Sequence, residues 1–365
     1  MESSSNDSKK KTHWWKILLW IVLILAAVIA AYAAYVFLTY SRIPDNQELQ
    51  ITGNARDTLQ TGTKYTAVTY NVGFGAYTKD FTFFMDGGKS SWAESKDSVI
   101  ACIDGAGRTA AAFNPDIVLF QEVDTDATRS YHVDEAEQLN TLFDGYDHVA
   151  AVNFHSAFLM YPLYQPHGAS NSCILTQSRF PVSSALRRSL PIATGVKKIL
   201  DLDRCYSISR IPAENGKELV VINTHLSAYG TDAAQGNAQL EMLFADMEAE
   251  YEKGNYVICG GDFNHDFTGT SKAELNSSRG DEEYSWCQPF PESIIPEGFS
   301  RCLDYKGGLV STTRNTDVPY GKNSFLVILD GFIISDNITC HYVSNVDTGY
   351  EYTDHNPVVI QFELM

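Results

Sequence analysis

Tyr256–Asp262 reads YVICGGD: four apolar residues, two glycines and a carboxylate, followed at once by Phe263, Asn264, His265 and Asp266. A short unbroken apolar run stopped by turn-forming residues predicts a strand buried on both faces. The same pattern recurs outward from it. Tyr65–Asn71 (YTAVTYN), Ile117–Val123 (IVLFQEV), Ser172–Thr176, Leu219–His225 (LVVINTH), Ser324–Ser335 (SFLVILDGFIIS) and Pro357–Leu364 are all short and rich in β-branched or aromatic residues. Between them, Ser91–Phe113, Asp134–Phe143 and Thr231–Lys253 read as helices, the last with Ala234, Leu240, Leu243, Phe244 and Met247 at helical spacing. Strands and helices alternate early and strands dominate late, which predicts a layered α/β or α+β body with buried sheets. No linker divides residues 64–365, and no repeat of fixed period occurs in them.

The chemistry lies where these strands stop. Asn71, Glu122, His225, Asp262 with Asn264, and the pair Asp354-His355 ahead of the last run are all polar, metal-capable or titratable. Strands that end together place such side chains in one cleft on rigid supports. Carboxylates and amides without thiols suit a hard cation such as Mg²⁺ or Mn²⁺. Two histidines beside acids add proton transfer. Asp330 stands alone inside SFLVILDGFII, where a buried carboxylate needs a partner, and His355 is the natural one. Taken singly, each residue has a plainer reading as a turn former, a loop carboxylate or a core histidine.

Together the motifs TYNVGFG, FQEVD, INTHLS, GGDFNHD, ILDGF and YTDHNPV, in this order from Lys64 to the C-terminus and with SRFPV at Ser178–Val182, resemble the endonuclease/exonuclease/phosphatase superfamily. The resemblance implies a four-layer sandwich of two packed mixed sheets flanked by helices. It also implies in-line hydrolysis of a phosphate ester, with the charge on phosphate offset by metal and histidines. Carried over residue by residue, Glu122 becomes the principal metal ligand, with Asn71 beside it and Asp262 touching a second metal. His355 takes the proton of the attacking water or binds the scissile phosphate, with Asp354 or Asp330 orienting its ring. His225 contacts phosphate and the leaving oxygen, and Asp262 and Asn264 position the nucleophile and the phosphate. Thr353 departs from the serine of many relatives.

Five further residues are candidates by position. Arg129 and Asn153 could reach substrate, with His155 beside Asn153, while His265 and Asp266 adjoin Asn264 as local support or direct participants. The aromatic stretches Phe81–Met85 and Phe154–Tyr164 read either as core or lid, favoured by the alternation of Phe81 and Phe83, or as an apolar rim to the cleft.

Residues 1–13 form a basic tip, and 14–40 an apolar stretch in which Ile17–Leu38 has no charge, long enough to span a bilayer. It is longer than the apolar core of a signal peptide, the rival reading prompted by Ala31-Tyr32-Ala33. Lys9, Lys10, Lys11 and Lys16 before the span predict a cytoplasmic N-terminus, a polar stalk over 41–63 and an extracytoplasmic body over 64–365 in a single-pass cell-membrane protein. Of the formal charge of −18, the first 40 residues hold +2 and the remainder −20. That acidity excludes a protein that binds nucleic acid chiefly through a basic surface, although not one that meets phosphate through metal. The seven cysteines lack zinc-site spacing, and Cys287 with Cys302 is a candidate disulfide. The expected partners are thus the membrane and a phosphoester: a lipid headgroup, a small phosphodiester or nucleic acid. No protein partner is expected. An extracellular endonuclease is the alternative within this class, and a catalytically silent binding module the alternative outside it.

Overall fold

The computed structural model describes residues 8–192, 203–228, 233–275, 287–305 and 307–365. The chain divides into two units, Met1–Ser41 and Arg42–Met365. The first is the helix α1 (Ser8–Thr39), of which Trp14–Thr39 is 26 residues long and apolar enough to cross a membrane.

In the second unit the strands are β1 (Gln47–Glu48), β2 (Ile51–Gly53), β3 (Lys64–Asn71), β4 (Ile117–Asp124), β5 (Asp147–Leu159), β6 (Gly168–Ser178), β7 (Ser184–Ser189) and β8 (Cys205–Pro212). They continue as β9 (Glu218–His225), β10 (Tyr256–Asp262), β11 (Phe299–Arg301), β12 (Thr313–Arg314), β13 (Leu326–Val327), β14 (Asp330–Ser335), β15 (Ile338–Asn345) and β16 (Val358–Leu364). Helices α2 (Lys96–Ala111), α3 (Glu135–Leu142), α4 (Ala233–Tyr251) and the single turn α5 (Ser271–Glu274) lie between them. The predicted helix starts move inward for a local reason. Ser95 Oγ accepts from the Ser98 amide and Asp134 Oδ1 from the Glu137 amide, so each caps rather than joins its helix.

Two seven-stranded sheets result, ordered β1-β7-β8-β9-β10-β14-β11 and β15-β16-β3-β4-β6-β5-β2, with β12-β13 as a separate ribbon. Both are mixed, because β9 runs parallel to β10 and β3 parallel to β4 while their other pairings are antiparallel. Residues 41–63, expected as a stalk, supply the edge strands β1 and β2. Arg187 helps hold this segment: its guanidinium donates to the carbonyls of Pro44 (3.3 Å), Val152 (2.8 Å) and Asp203 (2.8 Å), so a fully buried charge is satisfied by three separate segments.

Alternation along the strands divides the core into layers. Ala67, Ile117, Leu119, Val221, Ile258 and Phe332 fill the space between the sheets. Their neighbours Val68, Tyr70, Val118 and Phe120 pack against Val99, Ile103 and Ala106 of α2 and Leu139 of α3. On the other sheet Val220, Ile222, Val257 and Cys259 meet Leu240, Leu243, Phe244 and Met247 of α4. Each central strand is therefore buried on both faces, which is why its sequence is a continuous apolar run. Cys287 packs with Phe325, Val327 and Leu329, whereas Cys302 lies in the inter-sheet core, so the candidate disulfide between them is not formed.

Two residues short of the ends of β3, β9 and β10, the inter-sheet layer turns polar. Asn223 on β9 donates to the carbonyls of Phe120 (3.2 Å) and Leu175 (3.1 Å) in the opposite sheet and accepts from Gln121 Nε2 (2.8 Å). Gln121 in turn donates to Thr69 Oγ1 (3.1 Å) and the Leu119 carbonyl (3.1 Å). Gly260 lies in the same layer, where a Cβ would meet the Phe332 ring at 2.5 Å and Leu119 at 2.8 Å. Asn223→Leu removes all three cross-sheet bonds inside the buried layer, an expected loss of about 2–4 kcal/mol in chemical denaturation. Wild-type stability in that variant would show that the clasp contributes nothing.

Candidate active site

Two residues beyond the polar layer, the strands end in charge. The β10 register sets Asp262 opposite both Asp330 and His225. Asn71 closes β3, and His355 precedes β16. Glu122 arrives differently. It sits in a β-bulge of β4 with φ +55°, a left-handed conformation that turns it out of the ladder.

Asn71 links the two sheets at this level. Its Nδ2 donates to Glu122 Oε1 (3.3 Å) and Asp262 Oδ2 (3.1 Å), and its Oδ1 accepts from the Gly73 amide (3.0 Å). His225 Nε2 lies 3.5 Å from Asp262 Oδ2 and 3.9 Å from Glu122 Oε1. Asp262 Oδ1 accepts from the Asn264 amide (2.9 Å), and Asn264, at φ +50°, anchors its own Nδ2 on the Leu226 carbonyl (2.7 Å). Across the cleft, His355 Nδ1 donates to Asp330 Oδ2 (2.8 Å), leaving Nε2 3.8 Å from Asp262. Of the two acids proposed to orient this ring, Asp330 holds it. The Asp354 carboxylate instead accepts from Thr353 Oγ1 (3.2 Å).

Electrostatics separate these groups. Burial works against a charge on His355, but Asp330, Asp354 and Asp262 outweigh it and push the imidazole up to about 10. His225 is held well below its ordinary value by burial, then by Arg204 and His355. Burial and the neighbouring Asp330 push Asp262 up to about 7 against the pull of His355. Asp354 rises to about 6, chiefly through burial.

The donor set fits a hard divalent cation. Asp262, Asp330 and His355 each offer a ligand atom within 4.8 Å of the others, and Asp330 Oδ1 is buried without a hydrogen-bond partner. Glu122 and Asn71 bring two more groups to Asp262, with no thiol among them.

The remaining candidates fall outside this cluster. Arg129 is bound to Asp124: its Nε and Nη2 both donate to that carboxylate (2.9 and 2.8 Å), and the guanidinium lies 3.8 Å over the Phe74 ring. Asn153 is buried beside a bulge of β5, and His155 pairs with Asp203 (2.6 Å). His265 Nδ1 hydrogen-bonds the Phe263 carbonyl (2.7 Å), and Asp266 accepts from Thr268, Gly269 and Ser271, so both organise the loop around Asn264. Two participants carry no sequence signal. Thr313 Oγ1 lies 3.1 Å from His355 Nδ1 and 3.2 Å from Asp330 Oδ2, and Arg204 is close enough to depress His225. The aromatic stretches divide: Phe81 and Phe83 are core, while Met85, Phe158, Met160, Tyr161, Leu163 and Tyr164 are exposed.

Comparison with known proteins identifies the fold and the family. Solved structures described as endonuclease/exonuclease/phosphatase proteins share the fold. One from Beutenbergia cavernae is 17% identical over 82% of this chain and 72% of its own, with a TM-score of 0.52. One from Bacteroides vulgatus is 13% identical over 83% and 100%, with a TM-score of 0.54. A third, from Leptotrichia buccalis, is 15% identical over 82% and 100%, with a TM-score of 0.51. No curated protein matches the chain in sequence. The profile of the Endonuclease/Exonuclease/phosphatase family matches residues 68–343, which span the cluster from Asn71 to Asp330. The chain belongs to that family of metal-dependent phosphoester hydrolases.

Proposed function

We propose that the chain is a membrane-anchored phosphodiesterase whose body, residues 42–365, works on the extracytoplasmic side, with a lipid headgroup or small phosphodiester as substrate. The observation that carries the reaction class is the cluster of Asn71, Glu122, His225, Asp262, Asn264, Asp330 and His355 at one edge of the sandwich. A bound Mg²⁺ or Mn²⁺, held by Asp262 and Glu122 with Asn71 beside them, supplies Lewis-acid stabilisation of charge on the phosphate. His355, raised to about 10 by Asp330, Asp354 and Asp262 against the effect of burial, is suited as an imidazolium to bind the scissile phosphate. Asp262, held by Asn71 and the Asn264 amide and 3.5 Å from His225, would position the attacking water. Asn264 is fixed by Leu226 and Asp262 to orient the phosphate, and His225, kept neutral by burial, faces the leaving oxygen.

Two features support a lipid substrate. The chain carries the apolar helix Trp14–Thr39, and lysines precede it. The exposed side chains of Met85, Tyr161 and their neighbours connect through Phe84, Phe83 and Phe74 to the loop that follows Asn71, with ring centroids 4.9–6.3 Å apart. An extracellular endonuclease remains the alternative, weakened by the charge of −20 beyond residue 40.

The purified chain is expected to hydrolyse bis-p-nitrophenyl phosphate with Mg²⁺ or Mn²⁺, and Glu122→Ala or His355→Ala to lose about 100-fold or more in kcat. Unchanged turnover in His355→Ala sinks the site assignment, and no turnover of any phosphoester favours a silent binding module. Sphingomyelin or phosphatidylinositol vesicles are expected to release phosphorylated headgroup while plasmid and RNA stay intact; nicked plasmid selects the nuclease.

Protons and cation compete for Asp262. Its raised pKa means it is protonated below about 7, so cation affinity is full above that value and lost as pH falls through it. Mg²⁺ binding is expected to weaken roughly tenfold from about pH 8 to about pH 6. Calorimetric affinities that do not change over this range remove Asp262 from the ligand set.

A further inference from the structure

The outermost strands β11 of one sheet and β15 of the other lie on the same side of the sandwich. Cys302 directly follows β11, and its amide donates to the Phe332 carbonyl of β14 (2.9 Å). Cys340 lies on β15 opposite Phe362, at a register irregularity between residues 340 and 342. The intervening chain crosses at this edge, where Tyr305 forms a bridge to Val343. Cys340 packs against the inter-sheet core that contains Cys302, and the two thiols share a hydrogen bond. Both are free thiols, Cys302 buried and Cys340 partly exposed.

We infer that Cys302 and Cys340 form a redox-active dithiol whose oxidation closes a disulfide across this side of the sandwich. The order of reaction follows from exposure and hydrogen bonding. Cys340 is the accessible partner, and the hydrogen bond from Cys302 holds its thiol below the ordinary value, whereas the same bond and burial hold Cys302 well above its own. The Cys340 thiolate attacks one sulfur of a small-molecule disulfide such as oxidised glutathione, forming a mixed disulfide and expelling one glutathione thiolate. Cys302 then loses its proton to solvent and attacks Cys340 Sγ, expelling the second glutathione. Two protein thiols are oxidised to one disulfide, and one glutathione disulfide is reduced to two thiols. The crosslink closes a loop of about 40 residues and ties the pair β11 and β14, the latter beginning with Asp330, to the pair β15 and β16, the latter following His355.

The test uses the full chain, reduced, in detergent micelles, treated with oxidised glutathione, quenched by alkylation and mapped by peptide mass spectrometry. The expected product is a Cys302–Cys340 linked peptide, with a thermal midpoint raised by roughly 5 °C and restored by dithiothreitol. In Cys302→Ser the reaction stops at a glutathione adduct on Cys340 with no thermal gain, and in Cys340→Ser the Cys302 thiol stays unreacted. A wild-type chain that stops at the Cys340 adduct, or keeps both thiols alkylatable after unfolding, overturns the inference. So does a linked peptide that forms equally fast with a different cysteine in either variant.

Discussion

The space between the sheets has a polarity gradient, and the site depends on it. Along β9 the side chains facing the other sheet are Leu219, Val221, Asn223 and His225; along β10 they are Tyr256, Ile258, Gly260 and Asp262; along β3, Ala67, Thr69 and Asn71. Apolar contact at one end gives way to a hydrogen-bonded clasp and then to charge. The clasp of Asn223 and Gln121 is the transition layer that makes the last one affordable. It fixes the sheet separation just beneath Asp262 and His225 and satisfies its own polar groups in doing so. Carboxylates brought so near one another from two sheets need such a floor, because their repulsion would otherwise open the sandwich.

The charged layer separates acid from base by environment alone. Asp262 and His355 are both buried and lie 3.8 Å apart, yet the acid is raised toward neutrality and the histidine raised past it. The difference arises from the second contact of each. Asp330 sits beside both, and the same negative charge that discourages ionisation of Asp262 sustains the cation on His355. Glu122 completes the set from a bulge, so it is the member that faces outward from the ladder, with 28% of its side chain exposed.

How far this was legible in the sequence follows from where each signal lies. Asn71, Glu122, His225, Asp262 and His355 could be read because each ends or adjoins an apolar run, and ending strands share an edge. Asp330 could be read because a lone acid in SFLVILDGFII demands a partner. Thr313 and Arg204 could not, since neither interrupts a pattern and each acquires its neighbours only across elements. Arg129 pointed toward phosphate because nothing in its local sequence shows that Asp124, five residues earlier, holds it from a strand end. The disulfide candidate failed for a similar reason. Loop composition favoured Cys287, whereas packing between the two sheets beside β11 and β15 puts Cys302 near Cys340. Residues 41–63 read as a stalk because two- and three-residue edge strands carry too few side chains to show alternation.

Arg187 has a mechanical consequence. Any tension entering the body along the chain from residue 42 meets the hydrogen bonds of Arg42 to the Leu190 carbonyl and of the Ile43 amide to Asp203, then the Arg187 guanidinium bonded to the Pro44 carbonyl, before it reaches β1, a two-residue strand laid antiparallel on β7. The same guanidinium grips Val152 in the opposite sheet and Asp203 ahead of β8. A pull at the N-terminal end is therefore distributed over both sheets at one rigid, planar, fully buried group, instead of peeling a single edge strand. The site's own strands, β9, β10 and β14, lie inward of that load-bearing edge, separated from β1 by β7 and β8.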